Sequence, residues 1–140
     1  MKVENLRSPH DKVGGLVYFG RMLDKIRLHS QSKLPEDYHE NLGKGFDERC
    51  VHFLRVRYHD VVERIQKGGS DLDVLEWCFE RGRKPGEEEI EIWNEFLRKR
   101  GWNDEMSARL VTRKKEIGAE NRDDIRTFFD FIDADEGRDA

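Results

Sequence analysis

The amino-acid sequence predicts an all-α fold, a single compact domain of six or seven short helices with one long ordered loop. Three observations carry that prediction. Apolar residues recur with the 3.6-residue period of a helix along most of the chain. Serine, asparagine and aspartate precede these stretches and glycine follows them, as caps and stops do. No segment of useful length alternates apolar and polar residues with β-branched enrichment, and no Asn-Gly or Asp-Gly hairpin signal occurs.

Taken in order, Ser8-Pro9 with Asp11 reads as an N-cap, a proline at the first helical position and a capping carboxylate, and Gly14-Gly15 then breaks the turn. From Leu16 to about Ser30, Leu16, Phe19, Leu23 and Ile26 share one face while Arg21, Asp24, Lys25 and Arg27 fall mostly off it, which predicts an amphipathic helix. The stretch Ser32 to Gly45, SKLPEDYHENLGKG, has no sustained period and reads as the long ordered loop, with one turn. Phe46, Cys50, Phe53 and Leu54 define a helix to about Leu54; Tyr58, Val61, Val62 and Ile65 define another to Lys67, stopped by Gly68-Gly69.

Ser70 with Asp73 makes a capping box for a helix through Arg81, with Leu72, Leu75 and Phe79 inward and Gly82 after it. In EEEIEIWNEFLRKRG the glutamates lie at the positive end of the helix dipole and Arg98, Lys99 and Arg100 at the negative end; Ile90, Ile92, Trp93, Phe96 and Leu97 form a wide stripe expected to be buried. Asn103 or Asp104 caps a helix to about Ile117, carrying Met106, Leu110 and Ile117. Asn121 with Asp124 opens the last, whose inward face is Ile125, Phe128, Phe129 and Ile132. The domain is expected to span residues 1–136, with 137–140 a frayed tail.

Composition narrows the function classes. The 140 residues carry a net charge of −4 from 26 basic and 30 acidic side chains, so nothing draws the chain as a whole to nucleic acid or to an anionic membrane. No apolar run reaches the length of a membrane span, and MKVENLRSPHDK lacks the core of a secretory signal, so a cytoplasmic location is expected. Two cysteines without CxxC spacing, Cys50 and Cys78, fit a reducing compartment, with a bridge between them left open.

The strings LRSPHDKVGG, GRMLDKIR, LEWCFERGRK with WNEF, and DDIRTFFDFIDADEG occur in this order over nearly the whole chain. Together they resemble an uncharacterised bacterial family, domain of unknown function 5069. The resemblance implies a small cytoplasmic bacterial protein without an assigned activity and supplies no catalytic residue. Some members of the family it resembles carry a tyrosine and a CPLD-like string where this chain has YHENLGKGFDERC; Asp47 fits that pattern and the cysteine ahead of it is missing, so the resemblance does not imply thiol chemistry there. The shared RMLDK makes Arg21, Asp24 and Lys25 candidates for a common polar site.

The window DYHENLGKGFDERCVH holds the densest chemistry. Cys50 shares its helix face with Phe46, Phe53 and Leu54 and so reads as a buried thiol, and His52 lies about 200° further round, too far to chelate with it. His39-Glu40 lacks the second histidine of a zinc-protease helix, and His10, His29 and His59 follow no ligand spacing; zinc would need His39, His52 and a carboxylate gathered by folding. DFIDADEGRD fails as a calcium loop because its glycine comes too early, and GKGFD lacks the strand and the GK[ST] of a phosphate cradle. No metal or cofactor is therefore expected. The basic residues Arg98, Lys99, Arg100, Arg113, Lys114 and Lys115 read as solvated helix ends, with local nucleic-acid contact as a weaker alternative.

There remains the polar set Arg21, Asp24, Lys25, Tyr38, His39 and Asp47 around an unusually long loop. If the Ser32–Gly45 loop folds over the Leu16–Ser30 helix, these residues line a cleft for a small anionic ligand. His39 would then act as acid–base, Asp24 or Asp47 would orient it, and Arg21 and Lys25 would hold the anion. The expected function is first a non-enzymatic binding or protein-interaction module, with Trp77 or Trp102 as anchors, and second a binder or enzyme that uses this cleft.

Overall fold

A computed structural model describes residues 1–138 and has the expected all-α architecture. Seven α-helices dominate the described residues: α1 (Phe19–Ser30), α2 (Phe46–Leu54), α3 (Tyr58–Gln66), α4 (Asp71–Arg81), α5 (Glu87–Lys99), α6 (Ser107–Glu116) and α7 (Phe128–Asp135). The loop between α1 and α2 contains a 3-10 helix, Glu36–Asn41. None of these helices is long and apolar enough to cross a membrane.

Residues 12–17 form a strand ribbon and not the start of a helix. Gly14 and Gly15 have φ of 56° and 85°, the two positive values that a tight type I′ turn requires, and they join the two-residue strands β1 (Lys12–Val13) and β2 (Leu16–Val17). Val13 pairs with Leu16 and Lys12 with Val17. Leu16 therefore belongs to a strand and not to the first helix, which starts at Phe19. Asn94 of α5 seals the ribbon, its Oδ1 accepting from Val17 N at 3.0 Å and its Nδ2 donating to Gly15 O at 2.8 Å. Between strand and helix Tyr18 sits at φ 72°, strain that persists only where the surroundings fix it.

α1 is the hub, and its burial is a second departure. Phe19, Met22, Leu23 and Ile26 pack against Val51 and Leu54 of α2, Val61 and Ile65 of α3, Val74, Leu75 and Cys78 of α4, Trp93 and Leu97 of α5, and Phe129 of α7. Arg21, Asp24 and Lys25, expected on a polar face, are buried as well. A second cluster of Val3, Leu6, Leu28 and Leu34, joined by Tyr38 and Leu42, ties the N-terminal segment and the long loop to α1. A third, of Leu110, Ala119, Ile125 and Phe131, holds α6 to α7.

Other expectations are corrected in detail. α6 starts at Ser107, because the Asp104 carboxylate accepts from Gly101 N and Met106 N and closes a turn instead of capping the helix. α7 starts at Phe128, not near Asn121: Phe128 N donates to Arg100 O at the end of α5, and the Thr127 hydroxyl accepts from Asp130 N at 3.1 Å as the true cap. Leu72, Ile92, Phe96 and Ile117 are exposed, since α5 buries only Trp93 and Leu97 of its wide stripe and α4 turns Val74, Leu75 and Cys78 inward. Both cysteines are buried and free. Of the C-terminal segment expected to fray, Arg138 bonds Asp133 and Glu136, and the last two residues lie outside the described ones.

Candidate functional site

Tyr18, Arg21 and Lys25 follow one another at helical spacing along one side of α1 and its N-cap. Facing them is a single face of α7, built from Phe128, Phe131, Ile132, Asp135 and Glu136. The long loop supplies Asp37, Tyr38, Asn41 and Lys44, with Phe46 of α2 and Arg113 of α6 closing the sides around a cavity of about 270 Å³. The loop folds over α1 because Leu34, Tyr38 and Leu42 bury themselves against Leu28.

Two buried ion pairs underlie this cavity. Lys25 Nζ lies 2.8 Å from Asp47 Oδ1 and donates to the Tyr18 hydroxyl at 3.0 Å; that hydroxyl donates to Asp47 Oδ1 at 2.6 Å, and Gly43 N donates to Asp47 Oδ2 at 3.0 Å. Arg21 donates through Nη1 and Nη2 to the two Glu136 oxygens at 2.8 and 2.7 Å, and the Tyr38 hydroxyl donates to Glu136 Oε2 at 2.7 Å. Tyr18, Arg21, Lys25, Asp47 and Glu136 are all at least 95% buried. Tyr18 is wedged between the rings of Phe46 and Phe129, at 5.4 and 6.2 Å, which holds its strained backbone in place.

Burial sets the protonation of these groups. It pushes the Lys25 ammonium below the usual lysine range against the pull of Asp47, and pushes the Tyr18 phenol well up with Asp47 adding to the effect. For Glu136 burial acts the other way, but the Arg21 bonds and charge, the Tyr38 hydroxyl and Arg138 outweigh it and hold the carboxyl below the usual glutamate range. Buried ion pairs add little net stability compared with apolar packing of the same volume, so stability alone does not account for two of them at one cavity. Perturbed groups gathered in a cleft mark a candidate site.

Of the residues singled out in the sequence, Arg21, Lys25 and Tyr38 line the cavity and Asp47 lies directly behind Lys25. Asp24 faces the other way: Arg7 donates to it from Nε and Nη2 at 2.9 and 3.0 Å, and Arg7 and Arg27 both bond Asp71. His39 also points elsewhere, its Nε2 3.0 Å from Leu34 O and its ring 4.7 Å from that of His29, so it forms no dyad with Asp24 or Asp47. Sequence reasoning missed Tyr18, Glu136, Arg113 and the phenylalanine wall. Tyr18 was within reach, three and seven residues before Arg21 and Lys25; Glu136 left no local signal.

The rim carries both signs of charge. Lys44 is exposed and forms no ion pair among the described residues, while Arg113 lies against the Phe131 ring at 5.6 Å with Glu116 3.0 Å from its Nε. Asp37 and Asp135 belong to the same lining. A broader, more open cleft of about 890 Å³ lies beside the N-terminal segment; of its lining, Arg7 is matched by Asp24 and Asp71, and Arg138 by Asp133 and Glu136. No group of three or more His, Cys, Asp or Glu is placed to hold a metal ion among the described residues.

Among models of protein families, one described as Domain of unknown function (DUF5069) matches residues 3–138. No curated protein matches the chain.

Proposed function

Since the chain belongs to the DUF5069 family, described only as of unknown function, we propose from its geometry that it binds a small carboxylate in the cavity between α1, the long loop and α7. The observation that carries this reading is the convergence of two buried ion pairs and two tyrosines on one cavity whose opposite wall is Phe46, Phe128 and Phe131. A volume of about 270 Å³ lies just under the ~300 Å³ at which pockets for drug-sized ligands begin, so the ligand is small. Lys44 and Arg113 supply cationic groups at the rim, and the phenylalanines accept an apolar body. Asp37 and Asp135 in the same lining disfavour a multiply charged phosphate, so a single carboxylate fits better. A cytoplasmic location goes with this reading, supported by the two cysteines kept free.

The test is a thermal-shift panel of small carboxylates and their neutral amides on the wild type and on the Lys44→Glu/Arg113→Glu variant. Lys44 is exposed and Arg113 partly so, so the variant is expected to retain its fold. A carboxylate present at a hundred times its Kd stabilises the wild type by ~2.7 kcal/mol, and the shift is expected to vanish in the variant. Equal shifts in both proteins, or none from any carboxylate, would overturn the reading.

A second reading, the interaction module, rests on a different surface. Ile92 and Phe96, 62% and 43% exposed, lie one turn apart on α5 beside Arg49, His52 and Phe53, and Trp102 is 58% exposed, whereas Trp77 is half-buried under Arg81. If this surface meets a protein, Phe96→Asp abolishes a complex that the wild type forms in sedimentation at physiological salt. A wild type that sediments alone with every candidate partner would count against it.

A further inference from the structure

Binding a carboxylate leaves one feature of the cavity unused, the amine at its floor. The Lys25 side chain is 6% exposed and lines the cavity, with Asp47 Oδ1 at 2.8 Å and the Tyr18 hydroxyl at 3.0 Å as the two partners of its nitrogen. The remaining position on that tetrahedral nitrogen has no protein partner among the described residues. Arg21, by contrast, is held by Glu136 through two donated bonds and by a third to Arg7 O at 3.1 Å, and its guanidinium stays protonated. Desolvated lysines beside a proton relay are the usual amine nucleophiles, because the neutral form becomes accessible and the proton has somewhere to go. Here the relay is built: Tyr18 Oη touches Lys25 Nζ on one side and Asp47 on the other.

We infer that Lys25 forms a reversible imine with the carbonyl carbon of a small oxo acid, a molecule that joins a ketone or aldehyde to the carboxylate held at the Lys44 and Arg113 rim. The inference rests on the carboxylate-pocket reading above and adds the second functional group of the ligand. Lys25 first passes its ammonium proton to Asp47, and the neutral amine attacks the carbonyl carbon, so the C–N bond forms as the C–O π bond breaks. The oxygen takes a proton from Tyr18, which Asp47 reprotonates, and the nitrogen then gives a proton to the freed Asp47 carboxylate. The nitrogen lone pair expels the hydroxyl, which takes that proton back through Tyr18 and leaves as water, so the product is a protonated imine paired with the Asp47 carboxylate. One water is released, and neither oxidant nor reductant is consumed.

The experiment treats the full chain with pyruvate or glyoxylate in the presence of sodium cyanoborohydride, followed by intact mass and peptide mapping. Lactate serves in parallel as a carbonyl-free carboxylate in thermal shift. The expected result is one adduct, heavier by the mass of the oxo acid less one oxygen atom, mapped to Lys25 and formed at least about tenfold faster than at any exposed lysine. Lys44→Glu, which leaves the amine in place, slows it. Adducts scattered over exposed lysines such as Lys2, Lys33 and Lys67 with none at Lys25, while lactate and pyruvate shift melting alike, would remove the imine and leave the pocket reading standing. No adduct and no shift from either acid would remove both.

Discussion

Glu136 shows how one carboxylate couples this site to pH. Its unfolded value is ~4.3, and in the fold Arg21, Tyr38 and Arg138 overcome the cost of burial and hold it lower. The native state therefore binds fewer protons than the unfolded chain as the pH drops through this region. The stability this group contributes is complete above ~4.3 and is lost as the pH falls through the folded value. The melting temperature is expected to fall steeply below that point, and Glu136→Gln should flatten this limb while lowering the melting temperature at neutral pH; parallel profiles would contradict the assignment. Asp47 is the other keystone. Asp47→Ala leaves Lys25 buried without its partner and is expected to cost ~3–5 kcal/mol in denaturant unfolding. The cysteines, by contrast, should be inert: burial pushes Cys78 up to about 12 and Cys50 well above the usual thiol range. Both are expected to resist a thiol reagent in the native protein and to react together on unfolding. The sequence indicated the buried Cys50 correctly because a thiol flanked at helical spacing by Phe46, Phe53 and Leu54 has only one face to occupy.

At the scale of elements, legibility follows how local the signal is. α4 and α5 were readable because their punctuation lies within a few residues. Ser70 and Asp73 make a reciprocal capping box in the fold, and Glu89 returns a bond to Gly86 N. The ribbon at residues 12–17 was not readable, since two-residue strands are too short to display a period and Gly14-Gly15 signals only a break. The start of α7 was misplaced because the deciding bond, Phe128 N to Arg100 O, joins residues 28 apart. Gly82 was recognised as a stop for the wrong reason. Its φ of −108° needs no left-handed freedom, but a Cβ there would come within 1.9 Å of Leu54 O, so the glycine lets the end of α4 close on the end of α2. Gly82→Ala must displace backbone and is expected to cost ~1–3 kcal/mol, more than the ~1 kcal/mol lost by removing the exposed cap in Ser70→Ala. A smaller effect at Gly82, measured by urea unfolding, would show that the two helix ends can separate freely.

Across the whole molecule, the site joins residues 18 to 136, and this long reach explains what the sequence could and could not reveal. Arg21, Lys25, Tyr38 and Asp47 were identifiable from charged residues on a helix beside an unusually long loop. Their partners were not: Glu136 lies 115 residues from the arginine that neutralises it, beyond the reach of any spacing rule. Asp24 and His39 belonged to the same sequence pattern but face away, because the direction of each side chain depends on Arg7 and on Leu34, which no spacing rule connects to them. On the proposed reading, this long-range assembly encloses a site for a small carboxylate. Native mass spectrometry of the gently purified wild type beside Lys44→Glu/Arg113→Glu, with small carboxylates added, tests it most directly. One ligand per chain is expected on the wild type and a bare chain for the variant. A wild type that stays bare with every carboxylate, or a variant that binds as well, would contradict it.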